Sequence, residues 1–244
     1  MTIELIVIGS LIGVLSGFFG IGGGAILVPA LLMLGFDIKS AVGISVLQMV
    51  FSSIYGSYLN LKKGTLNTRM VFIIGAGGFA GALLSGYIIS VLSSRTLEWV
   101  FFIFVLMALV RMFYMPHDAP DEKSGHPIVL FLVGVPIGAF SISIGVGGSL
   151  LLVPLLAGFL HVPLKKATSA GLFFVVFSSI AGLVSLSFRG LIDFQGGITV
   201  GLASLAGVYG GIHLKDMVHV SHHRLVLMLF YMSIASYIFY RLAV

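Results

Sequence analysis

Long apolar runs recur along the whole chain, among them Val71 to Leu92, Leu97 to Val110 and Leu172 to Leu186. Several reach or approach the ~20 residues that an α-helix needs to cross the hydrocarbon core of a bilayer. This feature limits the fold more than any other. A chain in lipid must satisfy its backbone N–H and C=O groups internally, which leaves helices and closed barrels. A barrel would show alternating segments of about 10 residues, and these runs do not alternate. Charged residues make up only 9% of the chain, hydrophobic ones 59%, and mean hydropathy is +1.17. A soluble domain carries roughly 25% charged residues. The expected fold class is all-α, a polytopic membrane protein whose first partner is the lipid bilayer.

Met1-Thr2-Ile3-Glu4 has neither a basic region nor a small-residue cleavage site, and is expected to belong to the first helix. There is no cysteine, which excludes disulfides and thiolate metal sites. The net charge is +5, but Lys and Arg fall at the ends of apolar runs, where they anchor helices or set topology, so nucleic acid is not an expected partner. His213, His219, His222 and His223 cluster with Lys215, Asp216 and Arg224 in what reads as a solvated loop. Their spacing matches no common zinc signature, and neither metal nor cofactor is expected. An enzyme is not expected either, since there is no Gly-x-Ser-x-Gly and no aspartate pair within a span.

The chain repeats itself. Gly20-Ile21-Gly22-Gly23-Gly24-Ala25-Ile26-Leu27-Val28-Pro29 corresponds to Gly145-Val146-Gly147-Gly148-Ser149-Leu150-Leu151-Leu152-Val153-Pro154, and Ser16 to Ser141. After a one-residue adjustment, Val50 to Ile54 matches Val176 to Ile180 without a mismatch, and Lys63-Gly64 with Leu66-Asn67 mirrors Arg189-Gly190 with Ile192-Asp193. Residues 1–114 and 128–244 are thus expected to be two membrane repeats, joined by a polar linker at 115–127. Each half reads as a helix (3–19; 128–144), a glycine break and a short helix (25–35; 149–160). Three longer helices follow in each (40–61, 69–92, 96–114; 166–188, 195–214, 223–242). The short pieces either tilt through the bilayer or form re-entrant pairs with the helix before them, which gives eight to ten membrane segments.

Sidedness follows from counting Lys and Arg at the connections. With an odd number of crossings per half, Lys62, Lys63, Arg69, Arg111, Lys123, Lys165, Lys166, Lys215 and Arg224 share one side, against Lys39, Arg95, Arg189 and Arg241 on the other. With an even number the bias disappears. The odd count makes the halves inverted and puts the linker in the cytoplasm.

Inside a membrane, a broken helix is tolerated where it is buried in protein or lines a cavity. Gly22-Gly23-Gly24 and Gly147-Gly148-Ser149 each precede a short helix, so free N–H groups and the positive end of the helix dipole suit a small anionic substrate. Close helix packing alone would also use glycine. Gln48, with Ser45 and Ser52 on the same helical face, supplies neutral donors, and Ser169 and Ser178 occupy similar territory in the second half, where Phe174 aligns with Gln48. Neutral donors can hold an oxyanion without a cation at the bilayer centre. The expected binding set is Gly22, Gly23, Gly24, Ser45, Gln48, Ser52, Gly147, Gly148, Ser149, Ser169 and Ser178.

The twice-repeated Gly-Gly-Gly/Ser, apolar triplet, Val and Pro, followed by Lys39 to Gly43 and Lys165 to Ser169, resembles the TauE/SafE family of sulfite and sulfonate exporters. The resemblance covers both halves. It implies a secondary transporter in the plasma membrane of a bacterium or archaeon, exporting small sulfur-containing anions such as sulfite or organosulfonates. A passive anion channel and a carrier of another small organic anion are the alternatives. Gly43-Ile44-Ser45 and Ser169-Ala170-Gly171 depart from the family's frequent Gly-Thr-Ser. Homo-oligomer formation is left open.

Overall fold

The computed structural model describes residues 2–64, 68–114, 125–218 and 220–243. Their helices are α1 (Thr2–Phe19), α2 (Gly24–Met33), α3 (Ile38–Lys62), α4 (Thr68–Ala82), α5 (Ser85–Val91), α6 (Ser94–Phe113), α7 (Pro127–Ser143), α8 (Ser149–Phe159), α9 (Leu164–Ser187), α10 (Phe194–Met217) and α11 (Val220–Ala243). Most of the expected linker, 115–124, lies outside the described residues, as do Leu66 and Asn67 of the repeat. Among the described residues six stretches are long and apolar enough to cross a bilayer, with α1, α2, α7 and α8 as shorter apolar helices. Large apolar side chains such as Phe113, Phe188, Leu202 and Leu229 are exposed along them, the surface of a multi-pass membrane protein.

One expected helix, 69–92, is two. The ladder is interrupted at Leu83 and Leu84, where α4 ends and α5 begins. Ser185 of α9 takes up the polar groups released there: its Oγ donates to the Leu83 carbonyl at 2.6 Å and accepts the Gly86 N–H at 3.0 Å. A neighbouring side chain inserted into the ladder is an ordinary cause of such a break.

Small residues let the two halves interlock. A Cβ on Gly13 of α1 would lie 2.1 Å from the Ser204 carbonyl of α10, and one on Gly138 of α7 would lie 2.1 Å from the Gly78 carbonyl of α4. These contacts are equivalent under the repeat, so each half seats its first helix on a helix of the other. Gly9, Gly13 and Gly17 meet Val200, Ser204 and Val208 in order, so α1 and α10 run the same way. Along α3 and α9 the order reverses: a Cβ on Gly182 would lie 3.4 Å from Val46, one on Gly56 would lie 2.2 Å from Leu172, and Ser169 donates to Asn60. Of the six candidate spans, α3 and α9 are the most buried, and α6 and α11 the least.

Cations separate toward two ends. Lys63 pairs with Asp216, and Lys165 Nζ donates to the Asp216 carbonyl at 3.1 Å. Elsewhere Arg189 reaches Ser90, Arg241 reaches Glu98, and Arg95 reaches the Leu242 carbonyl, all around the connection from α5 to α6. These are the two groups of cations that the count of Lys and Arg places on opposite sides.

Candidate functional site at the paired glycine breaks

α2 and α8 each begin on a glycine in the left-handed region, Gly23 at φ +89°, ψ −24° and Gly148 at φ +93°, ψ −20°. An L side chain there is strained by roughly 1–2 kcal/mol, which is why only glycine serves. The path into each helix repeats as well, through Gly20 and Gly22 in one half and Gly145 and Gly147 in the other, all at positive φ. This turns the first N–H groups away from any ladder. The amide hydrogens of Gly22, Gly23 and Gly24, and of Gly147, Gly148 and Ser149, find no acceptor among the described residues.

The carbonyls of the breaks are satisfied by serine. Ser52 Oγ donates to the Gly22 carbonyl at 2.9 Å, and Ser178 Oγ, its counterpart, to the Gly147 carbonyl at 2.8 Å. Ser45 Oγ crosses between halves to the Gly145 carbonyl at 2.7 Å. A hydroxyl has one hydrogen, so these three serines hold the breaks and have no donor left for an anion. Donation falls to the amides.

The two breaks meet. A Cβ on Gly24 would stand 2.0 Å from the Gly145 carbonyl oxygen, Gly22 and Gly147 both abut Val175, and Gly24 and Gly147 both abut Met49. Met49 and Val175 are equivalent positions of the repeat, so a matched apolar pair fills the junction. Beside it lies Gln48, fully buried, with neither amide atom hydrogen-bonded by the described residues. Its Oε1 and Nε2 would be 2.9 and 3.0 Å from a Cβ on Gly23, so the amide lies against the first break. A buried amide left unsatisfied costs about 1–3 kcal/mol, a cost that packing alone gives no reason to retain. The hydroxyls of Ser16, Ser53, Ser141 and Ser149 are also buried without a partner among the described residues.

Ten of the eleven expected residues therefore surround the junction. Ser169 does not. It sits with Asn60 and Lys215, near the end of α3. Lys215, expected in a solvated loop, is instead 2% exposed in the last turn of α10, because α10 continues through Met217 and carries it under α3 and α9. His213 and His222 from the same cluster are exposed as expected, whereas His219 lies outside the described residues. The signal that could have found Lys215 was Asn60, a lone amide late in an apolar run.

A multi-pass helical protein built around two interrupted helices that meet inside it has the architecture of a membrane transporter. The chain belongs to the sulfite exporter TauE/SafE family, whose profile it matches over residues 5–238. It is 27% identical over 241 residues to a probable membrane transporter protein of Methanocaldococcus jannaschii, covering 91% of this chain and 90% of that protein. It is 22% identical over 220 residues to the probable membrane transporter protein YdhB of Bacillus subtilis, covering 87% and 90%. A third relative, YjnA of the same organism, is 25% identical over 232 residues, covering 88% and 91%. No solved structure matches the chain significantly.

Proposed function

We propose that the protein is a secondary transporter that exports small sulfur-containing anions, sulfite or organosulfonates, by alternating access around the paired breaks. The observation that carries this reading is the meeting of two sets of acceptor-free amides beside the unpartnered Gln48 amide. Amides at helix starts carry partial positive charge and suit an oxyanion, and a neutral side-chain amide adds a donor without a fixed charge in the bilayer. Gly22, Gly23, Gly24, Gly147, Gly148, Ser149 and Gln48 form the contact set, while Ser45, Ser52 and Ser178 position the backbone. The sulfur-containing substrate is drawn from the family description.

Alternating access needs two similar units that can rock against one another, and inverted repeats provide them. The reversed order of contacts between α3 and α9 supports inversion, with residues 1–114 and 128–244 as the units and 115–127 as a cytoplasmic linker.

Purified protein in liposomes is expected to show sulfite flux that the Gly23→Leu, Gly148→Leu double variant abolishes. Flux unchanged by the double variant would move the site elsewhere. Single-channel currents in place of saturable flux would make the protein a channel.

A further inference from the structure

The strongest feature outside the breaks is the buried ammonium of Lys215. Its Nζ donates to Ser169 Oγ at 2.9 Å and to Asn60 Oδ1 at 3.2 Å, both neutral acceptors. No carboxylate lies within ion-pair distance of it among the described residues. Asp216, the next residue, is taken by Lys63, and its backbone carbonyl by Lys165. Among the described residues, Lys63 alone pairs with the Asp216 carboxylate at this end of α3, α9 and α10, and Lys165 and Lys215 make no ion pair with it. A cation removed from water without a counter-charge is costly, and a tie between helices could be made by neutral groups.

A track of buried polar groups leads away from it. On α3, Ser57, Ser53, Ser52 and Gln48 follow Asn60 in turn, all nearly or fully buried, and the hydroxyls of Ser57 and Ser53 have no partner among the described residues. The twelve-residue separation of Asn60 and Gln48 spans about 18 Å of helix.

We propose that Lys215, with Asn60 and Ser169, forms a second anion site, where a small oxyanion docks on its way between the cation-rich end and the paired breaks. Lys215 supplies the charge that the breaks lack, and the serine track of α3 joins the two sites. The proposal rests on the anion-transporter reading but makes a separate demand: a positive charge at position 215.

The test is sulfite binding to the detergent-purified full chain, read by thermal stabilisation, alongside sulfite flux in liposomes. Lys215→Met is expected to weaken sulfite binding at least tenfold, and Lys215→Arg to retain it within a fewfold. The unliganded melting temperature and a monodisperse elution profile verify that each variant folds. Wild-type affinity in a folded Lys215→Met variant would overturn the second site and leave the transporter reading intact. Binding that depends on Lys215 without flux in the wild type would keep the site and overturn the transporter. Neither binding nor flux would overturn both.

Discussion

The two glycine breaks share a backbone and differ in what stands against it. Gly23 and Gly148 adopt nearly the same left-handed conformation, and Ser52 and Ser178 hold equivalent carbonyls at nearly equal distances. Against Gly23 lies the unpartnered amide of Gln48; against Gly148 lies the ring of Phe174, whose Cε1 would be 2.4 Å from a Cβ there. Position 24 is glycine, pressed on the Gly145 carbonyl, while its counterpart Ser149 has room for a side chain. Duplication supplied a symmetric frame, and substitution made one break polar and the other partly apolar. The small anion proposed as substrate has its own asymmetry, with charged oxygens at one end, and an unequal pair of breaks would orient it.

The largest expected effect comes from erasing the difference at position 24. Gly24→Ser would put Cβ 2.0 Å from a backbone oxygen, which no rotamer relieves, and is expected to abolish monodisperse protein on size exclusion. Ser149→Gly should fold, at about 0.5–1 kcal/mol for glycine in a helix. Equal behaviour of the two variants would break the comparison. Next comes the exchange of side chains. Gln48→Phe is expected to reduce sulfite affinity by about 10–100-fold, the worth of roughly 1.5–3 kcal/mol for a hydrogen bond to a charged group. Phe174→Gln should have the smaller effect, measured in the same binding assay.

The smallest effect concerns the start of the helices that carry these side chains. Asp37 caps α3, accepting the Lys39 and Ser40 N–H groups, while Pro163, its counterpart, offers α9 no side-chain cap. The Ser40 hydroxyl holds the Asp37 carboxyl below its usual range, burial opposes it next, and the backbone amides add to the lowering. A depressed carboxylate contributes stability above its unfolded pKa and loses it as pH falls through the folded value. Asp37→Asn is therefore expected to lower stability by less than about 1 kcal/mol near neutrality, with the difference vanishing in acid. Thermal unfolding across pH checks this. A difference that grows in acid would show that the cap is not the cause.

Most of the architecture was legible from residues alone. The apolar runs predicted helix positions to within a few residues, since in lipid the backbone has almost no alternative to continuous helix. The exception was the 69–92 run, whose division at Leu83 depends on Ser185, about a hundred residues away in sequence. The repeat located both breaks, because a left-handed residue at a helix start demands glycine wherever it occurs. Ser45, Ser52 and Ser178 stand at the breaks, but what their hydroxyls bond was not readable: whether a hydroxyl faces a ligand or a carbonyl depends on which chain segment packs opposite. Lys215 was misplaced for a related reason, since a lysine near a helix end reads as solvated until another helix covers it.

What the sequence by itself determined is the membrane as solvent, the duplication, and glycine at two helix starts, all consequences of local composition and backbone geometry. Only the tertiary structure decided that the breaks meet at Met49 and Val175, that Gln48 is left without a partner among the described residues, and that Lys215 is buried. Those outcomes depend on contacts between residues far apart in the chain, which local propensity does not encode.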